Sequence, residues 1–319
     1  MNRRTFLTGT AAGIGVMAGF PRLGAQVAPP AAGRAGGPAR VTPEKLARVS
    51  LMTLCFDEYL KTPWMTTATP EQTMTIFDLP KMYVETYGVH NIEYQHRHLG
   101  APDAATGPID GDPAMLRELK ARLDEQKVRM TQVNLEFADQ NISTSDAAKR
   151  QLAIDRTKRW IDNAVLLGCP RVMVNQQQAE LNRETRAHAV AAWTQMVAYG
   201  KTKNVKVSAE TRGVVGASKE QLGMLPWEFL AGVIKDAGAN SNVDIGNVSA
   251  PDQQELNRAI KGLFATSSGN MHIKSSPNWD IGATVRFTES LGYTGLYSVE
   301  VRTHQAVRII YNTILANLA

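Results

Sequence analysis

Asn270-Met271-His272-Ile273-Lys274-Ser275-Ser276 is the stretch that decides the fold. Met271 and Ile273 alternate with Asn270, His272 and Lys274, the period of two of a β-strand. A strand buried in a parallel sheet is ordinarily apolar on both faces. This one is apolar on one face and carries an imidazole and an ammonium on the other. Three further stretches repeat the pattern. Val205–Glu210 sets Lys206, Ser208 and Glu210 against Val205, Val207 and Ala209. Asn242–Ile245 sets Asn242 and Asp244 against Val243 and Ile245. Tyr297–Arg302 sets Ser298, Glu300 and Arg302 against Tyr297, Val299 and Val301.

Outward from these, the chain alternates strand and helix. Strands are expected at Ser50–Phe56, Asn91–Gln95, Met130–Phe137 and Arg171–Asn175, before the four above. Cap-and-proline starts at Thr69-Pro70 and Asp112-Pro113 open two of the helices between them. Eight strand–helix units at about 30-residue spacing imply a parallel sheet, closed as a single-domain (β/α)8 TIM barrel, an α/β fold. The first strand-to-helix turn lacks a Gly-rich phosphate fingerprint, which argues against an open doubly wound sheet.

In such a barrel the site lies at the C-terminal ends of the strands. Glu210, Asp244, His272 and Glu300 fall there, at intervals of 34, 28 and 28 residues, one barrel unit each. Their apolar neighbours must face the helices, so these four point inward. Three carboxylates brought together raise one another's pKa, and a divalent cation removes that cost. Oxygen ligands with one imidazole suit Mn²⁺ best, then Mg²⁺ or Co²⁺, with Zn²⁺ or Fe²⁺ less favoured. A single inward acid or histidine is often only a structural partner; four in matched positions make a metal site.

Several stretches resemble the xylose isomerase-like TIM barrels, which include sugar isomerases, epimerases and inosose dehydratases. They are Phe77-Asp78-Leu79-Pro80-Lys81-Met82, Gly88-Val89-His90-Asn91-Ile92-Glu93, Leu167-Gly168-Cys169-Pro170, His272-Ile273-Lys274 and Leu291–Glu300. The resemblance covers about residues 50–318. It implies one divalent metal held by Glu, Asp, His and Glu of strands five to eight, which maps onto the same four residues. The chain departs from the family's ketose epimerases at Asn247, where they carry a second His. It departs from the dehydratases at Ser275, where they carry Asp. The multi-metal nucleases of this fold need many more histidines than the six present.

A site of this kind suits proton removal next to a carbonyl through a metal-stabilised enediolate. Glu210 and Glu300 are the candidate base and acid. Epimerisation, isomerisation and elimination share that first step, so a 3-keto-glycoside lyase or hydratase is the alternative. A carbohydrate- or metal-binding protein without turnover is a third possibility. Lys274, Glu93, His96, Glu136, Arg302 and Asn175 are candidate substrate contacts from strand ends. Trp64 and Trp279 are candidates for stacking on a sugar ring.

Residues 1–40 contain five arginines and no acid; the remainder has 30 basic and 30 acidic residues. A nucleic-acid binder would concentrate basic charge on its folded domain, so no nucleic-acid partner is expected. Asn2-Arg3-Arg4-Thr5-Phe6-Leu7 precedes an apolar run from Thr8 to Phe20, too short to span a bilayer. Residues 1–25 therefore read as a twin-arginine signal and 26–41 as a Pro/Gly/Ala linker. The barrel domain follows at 42–319. The expected location is the periplasm or the exterior, with the Tat machinery as a transient partner, no stable membrane anchor and a free sugar or sugar derivative as substrate. Self-association is left open. Cys55 and Cys169 are expected to be buried thiols.

Overall fold

The computed structural model describes residues 41–65, 67–101, 104–137, 141–175, 181–212 and 218–319. The signal and nearly all of the linker expected at the N-terminus lie outside these residues. Eight parallel strands close into a barrel in sequence order. They are β1 (Val49–Met52), β2 (Asn91–Gln95), β3 (Arg129–Leu135), β4 (Arg171–Val174), β5 (Lys206–Glu210), β6 (Asn240–Asp244), β7 (Ser267–Ile273) and β8 (Leu296–Val299). Pairing of Val49 with Tyr297 and of Leu51 with Val299 shuts the ring.

The helices between strands begin where acceptor side chains satisfy free backbone N–H groups. Asp112 caps Pro113–Glu125, Asp146 caps Ala147–Leu166, Asp280 caps Ile281–Ser290 and Thr303 caps His304–Asn317. Two expectations are corrected. The helix expected from Thr69 begins only at Leu79. Thr69 and Gln72 form a capped turn, and Met74 instead bridges to Leu60. The first strand ends at Met52, because Thr53–Tyr59 tightens into a 3-10 helix.

Val207, Ala209, Val243, Met271, Ile273, Tyr297 and Val299 sit in the apolar core, the layer between barrel and helices. The opposite faces fill the lumen with polar side chains: Glu93, Gln132, Asn134, Asn242, Asn270 and His272 are all fully buried. Strand register sets Asp244 beside His272, and His272 beside Ser298. Cys55 spans the seam where first and last strands meet. Its Sγ donates to Val299 O at 3.2 Å and accepts Val301 N–H at 3.4 Å. Both cysteines are buried and free, and burial pushes both thiols up to about 12.

Helix Arg186–Thr202 packs onto β5 through Gly200. A Cβ there would lie 2.5 Å from Val205 O and 2.9 Å from Val207 Cγ2. The nearer atom is backbone, so it cannot swing aside. Gly200→Ala is expected to destabilise the barrel by about 1–3 kcal/mol. A thermal midpoint equal to wild type would contradict this packing.

Candidate metal centre and catalytic cleft

β5, β6 and β7 carry three of the central side chains at or next to their C-terminal ends, and Glu300 directly follows β8. One ligand atom from each of Glu210, Asp244, His272 and Glu300 lies within 4.8 Å of the other three. His272 Nδ1 faces the acids, 2.8 Å from Glu300 Oε2, 3.3 Å from Glu210 Oε1 and 3.8 Å from Asp244 Oδ2. Donors that share a small divalent cation at about 2.0–2.2 Å stand about 3 Å apart, and the cluster has that scale. Glu210 Oε2 is buried without a hydrogen-bond partner. Three carboxylates, one imidazole and an orphaned carboxylate oxygen fit a divalent cation.

The surroundings fix each donor. Asp244 Oδ1 accepts Gly246 N–H at 2.8 Å and its Oδ2 accepts Asn247 Nδ2 at 2.7 Å. Thr211 clamps the Asp244 backbone at both N and O. Asn247 thus steadies a candidate ligand. Lys274 Nζ bridges Asp244 Oδ2 at 2.6 Å and Glu300 Oε1 at 2.7 Å. Its stem lies across Gly246, where a Cβ would come within 2.7 Å of Lys274 Cδ.

Charge sets the proton affinities. Burial first, then the Asp244 and Glu300 charges, push Glu210 up to about 8 against the opposing His272 hydrogen bond. For Asp244, burial acts upward, but His272 and Lys274 hold it below the ordinary carboxylate range. For His272, burial acts downward, yet Glu93 and the three acids hold it well above the ordinary imidazole value.

A cavity of about 360 Å³ opens above this cluster, lined among others by Glu136, Glu210, Arg212, Asn247, Lys274, Ser275, Glu300 and Arg302. Five of the sequence-derived candidates therefore meet there: Glu136, Glu210, Lys274, Glu300 and Arg302. Burial, followed by the Glu300 charge, raises the half-buried Glu136, with Arg212 opposing. Asn175 is buried and does not line the cavity; its Nδ2 donates to Glu136 Oε1 at 2.9 Å.

Four candidates are placed elsewhere. Glu93 is fully buried beneath the cluster, its Oε1 2.6 Å from His272 Nε2. It lies too deep in the lumen to touch a substrate. His96 is buried against Phe137, and its Nδ1 accepts the Glu136 N–H at 3.0 Å. Burial pushes it down to about 3, so it is a neutral prop for Glu136. Trp64 donates to Arg97 O at 3.0 Å and lines a separate cavity with Asp57 and His98. Trp279 packs on the core and does not line the 360 Å³ cavity. Arg212 was missed, although it lies two residues beyond Glu210 on the same alternation.

The family model described as xylose isomerase-like TIM barrel matches residues 83–308. The chain belongs to that family. The fold is shared with 3-keto-D-glucoside 4-epimerase from E. coli, at a TM-score of 0.61 and 12% identity over 84% of this chain and 97% of that one. It is also shared with D-psicose 3-epimerase from Clostridium cellulolyticum H10, at 0.58 and 10% over 84% and 96%. L-ribulose 3-epimerase matches at 0.58 and 16% over 85% and 91%. At these identities the likeness is one of fold. No curated protein matches the chain in sequence. No helix among the described residues is long and apolar enough to cross a membrane.

A metal must displace protons held on Glu210 and on His272 Nδ1. Both groups hold their protons above their ordinary values, so affinity should climb as pH rises towards about 8. Calorimetry in buffers of different ionisation enthalpy should show proton release on Mn²⁺ binding below that pH. Affinity that ignores pH, with no protons released, would contradict this electrostatic account.

Proposed function

We propose that the protein is a divalent-metal-dependent sugar isomerase or epimerase acting on a non-phosphorylated sugar or sugar derivative. One observation carries this: two glutamates from β5 and the end of β8 flank a buried metal-ligand cluster at the floor of an open polar cavity. The fold relatives, epimerases of psicose, ribulose and a 3-keto-glucoside, support the same chemistry. Mn²⁺ is the metal we favour on ligand type.

The cation, when bound, polarises a carbonyl and steadies the negative charge that builds on substrate oxygen. Glu210 and Glu300 do the proton work. One carboxylate takes the proton from the carbon beside the carbonyl, and the other returns one. Return to the opposite face of that carbon inverts it; return to the neighbouring carbon moves the carbonyl. Lys274 balances the acids and offers a donor at the cavity floor. Arg212, Ser275 and Arg302 at the rim supply donors for sugar hydroxyls.

Two measurements test this. Ketoses and oxidised glycosides incubated with Mn²⁺ in deuterated water should gain deuterium beside the carbonyl. An unsaturated product would instead assign elimination, and tight metal with no labelling would leave a binding protein. Glu210→Gln and Glu300→Gln should each lower turnover by at least about 10²-fold with unchanged circular dichroism; full activity in either would reject the base pair.

We further propose that residues 1–25 are a twin-arginine signal, on the strength of Arg3-Arg4 and the apolar run after them. Arg3→Lys combined with Arg4→Lys should then strand the protein in the cytoplasm of an expressing bacterium; unchanged export would reject the signal.

A further inference from the structure

Below the ligand cluster, Glu93 collects donors from across the barrel lumen. Its Oε1 accepts His272 Nε2 at 2.6 Å, Asn134 Nδ2 at 2.6 Å and Gln132 Nε2 at 3.0 Å. Its Oε2 accepts Asn270 Nδ2 at 3.0 Å. Every group in this set is fully buried. Four donors from two other strands, β3 and β7, converge on one carboxylate that has no other charge partner than His272 among the described residues. An acceptor so saturated leaves the imidazole no choice. Nε2 must keep its proton, so the Nδ1 proton is the one a metal displaces, and the lone pair it leaves points up at Glu210, Asp244 and Glu300.

We propose that Glu93 is the positioning residue of the metal centre, fixing the tautomer and ring plane of His272 so that Nδ1 is ready to ligate. This rests on the cluster holding a divalent metal. A carboxylate behind a ligating histidine orients the ring and raises its donor strength. Here the carboxylate comes from β2, on a different side of the barrel from the strands that supply the ligands.

The geometry also says why a substitution should spare the fold. Gln132 Oε1 and Asn270 Oδ1 are buried with no hydrogen-bond partner. Either amide can turn over and accept from a new N–H₂ group at position 93. Glu93→Gln therefore keeps the lumen bonded while replacing the charged acceptor behind His272 with a neutral amide.

The test compares wild type, Glu93→Gln and Glu93→Asp. Calorimetry should show Mn²⁺ and Zn²⁺ binding weakened by about 10–100-fold in Glu93→Gln. Glu93→Asp, which retains the charge one methylene further back, should lie between. Metal-free thermal midpoints should stay close, which a purely structural role would not allow. In the Zn²⁺-loaded wild type, nitrogen NMR should place the His272 proton on Nε2; this readout stands even if Glu93→Gln fails to fold. Equal affinity in wild type and Glu93→Gln, or a proton on Nδ1, would overturn the inference. Wild type that takes up neither metal would overturn the metal reading itself, a separable result.

Discussion

Repulsion among three buried carboxylates is the constraint that the rest of the site answers. Glu210, Asp244 and Glu300 cannot share one small volume as bare anions at a bearable cost. The fold offers two positive counterweights of its own, His272 between the acids and Lys274 across two of them. The same donor set could hold a third, a divalent cation. The lumen polarity follows from the same constraint. A barrel interior is ordinarily packed with branched apolar side chains, but His272 needs an acceptor beneath it, and that acceptor needs donors. Each polar group calls in the next, until β2, β3, β6 and β7 are tied across the axis.

The cavity inherits its character from this floor. Its described lining is largely polar and mixed in charge, with no aromatic residue among the described residues. On the proposed function, Asn247, Ser275, Arg212 and Arg302 would recognise the substrate by hydrogen bonds. That suits a small, hydroxyl-rich molecule whose orientation is set by many directional contacts.

Much of this was legible in the sequence because strands have a strict period. In Asn270–Lys274, alternation alone separates the residues that face the helices from those that face the lumen. Repeating it at one-unit intervals is enough to gather Glu210, Asp244, His272 and Glu300. Depth is what alternation does not give. Glu93 shares the inward parity of a strand-end residue, but it sits one layer lower, and only the register of β2 against β3 shows that. Loop residues have no period at all, so nothing in the sequence tells that Trp64 and Trp279 lie away from the catalytic cavity. The helix expected at Thr69-Pro70 failed for a related reason. A cap and a proline are local chemistry, and the turn they make is not followed by apolar residues at helical spacing until Leu79.

The Cys55 seam carries a consequence for assembly. Glu300 lies between Val299 and Val301, the two residues whose backbone that thiol grips, so the last acid is set in place by the very contact that joins the two ends of the sheet. The candidate ligands are drawn from the second half of the chain, while Glu93 beneath His272 and Cys55 beside Glu300 come from the first. No fragment shorter than the entire ring can present them together. A chain still missing its final strand lacks Glu300, and so cannot complete the four-residue cluster.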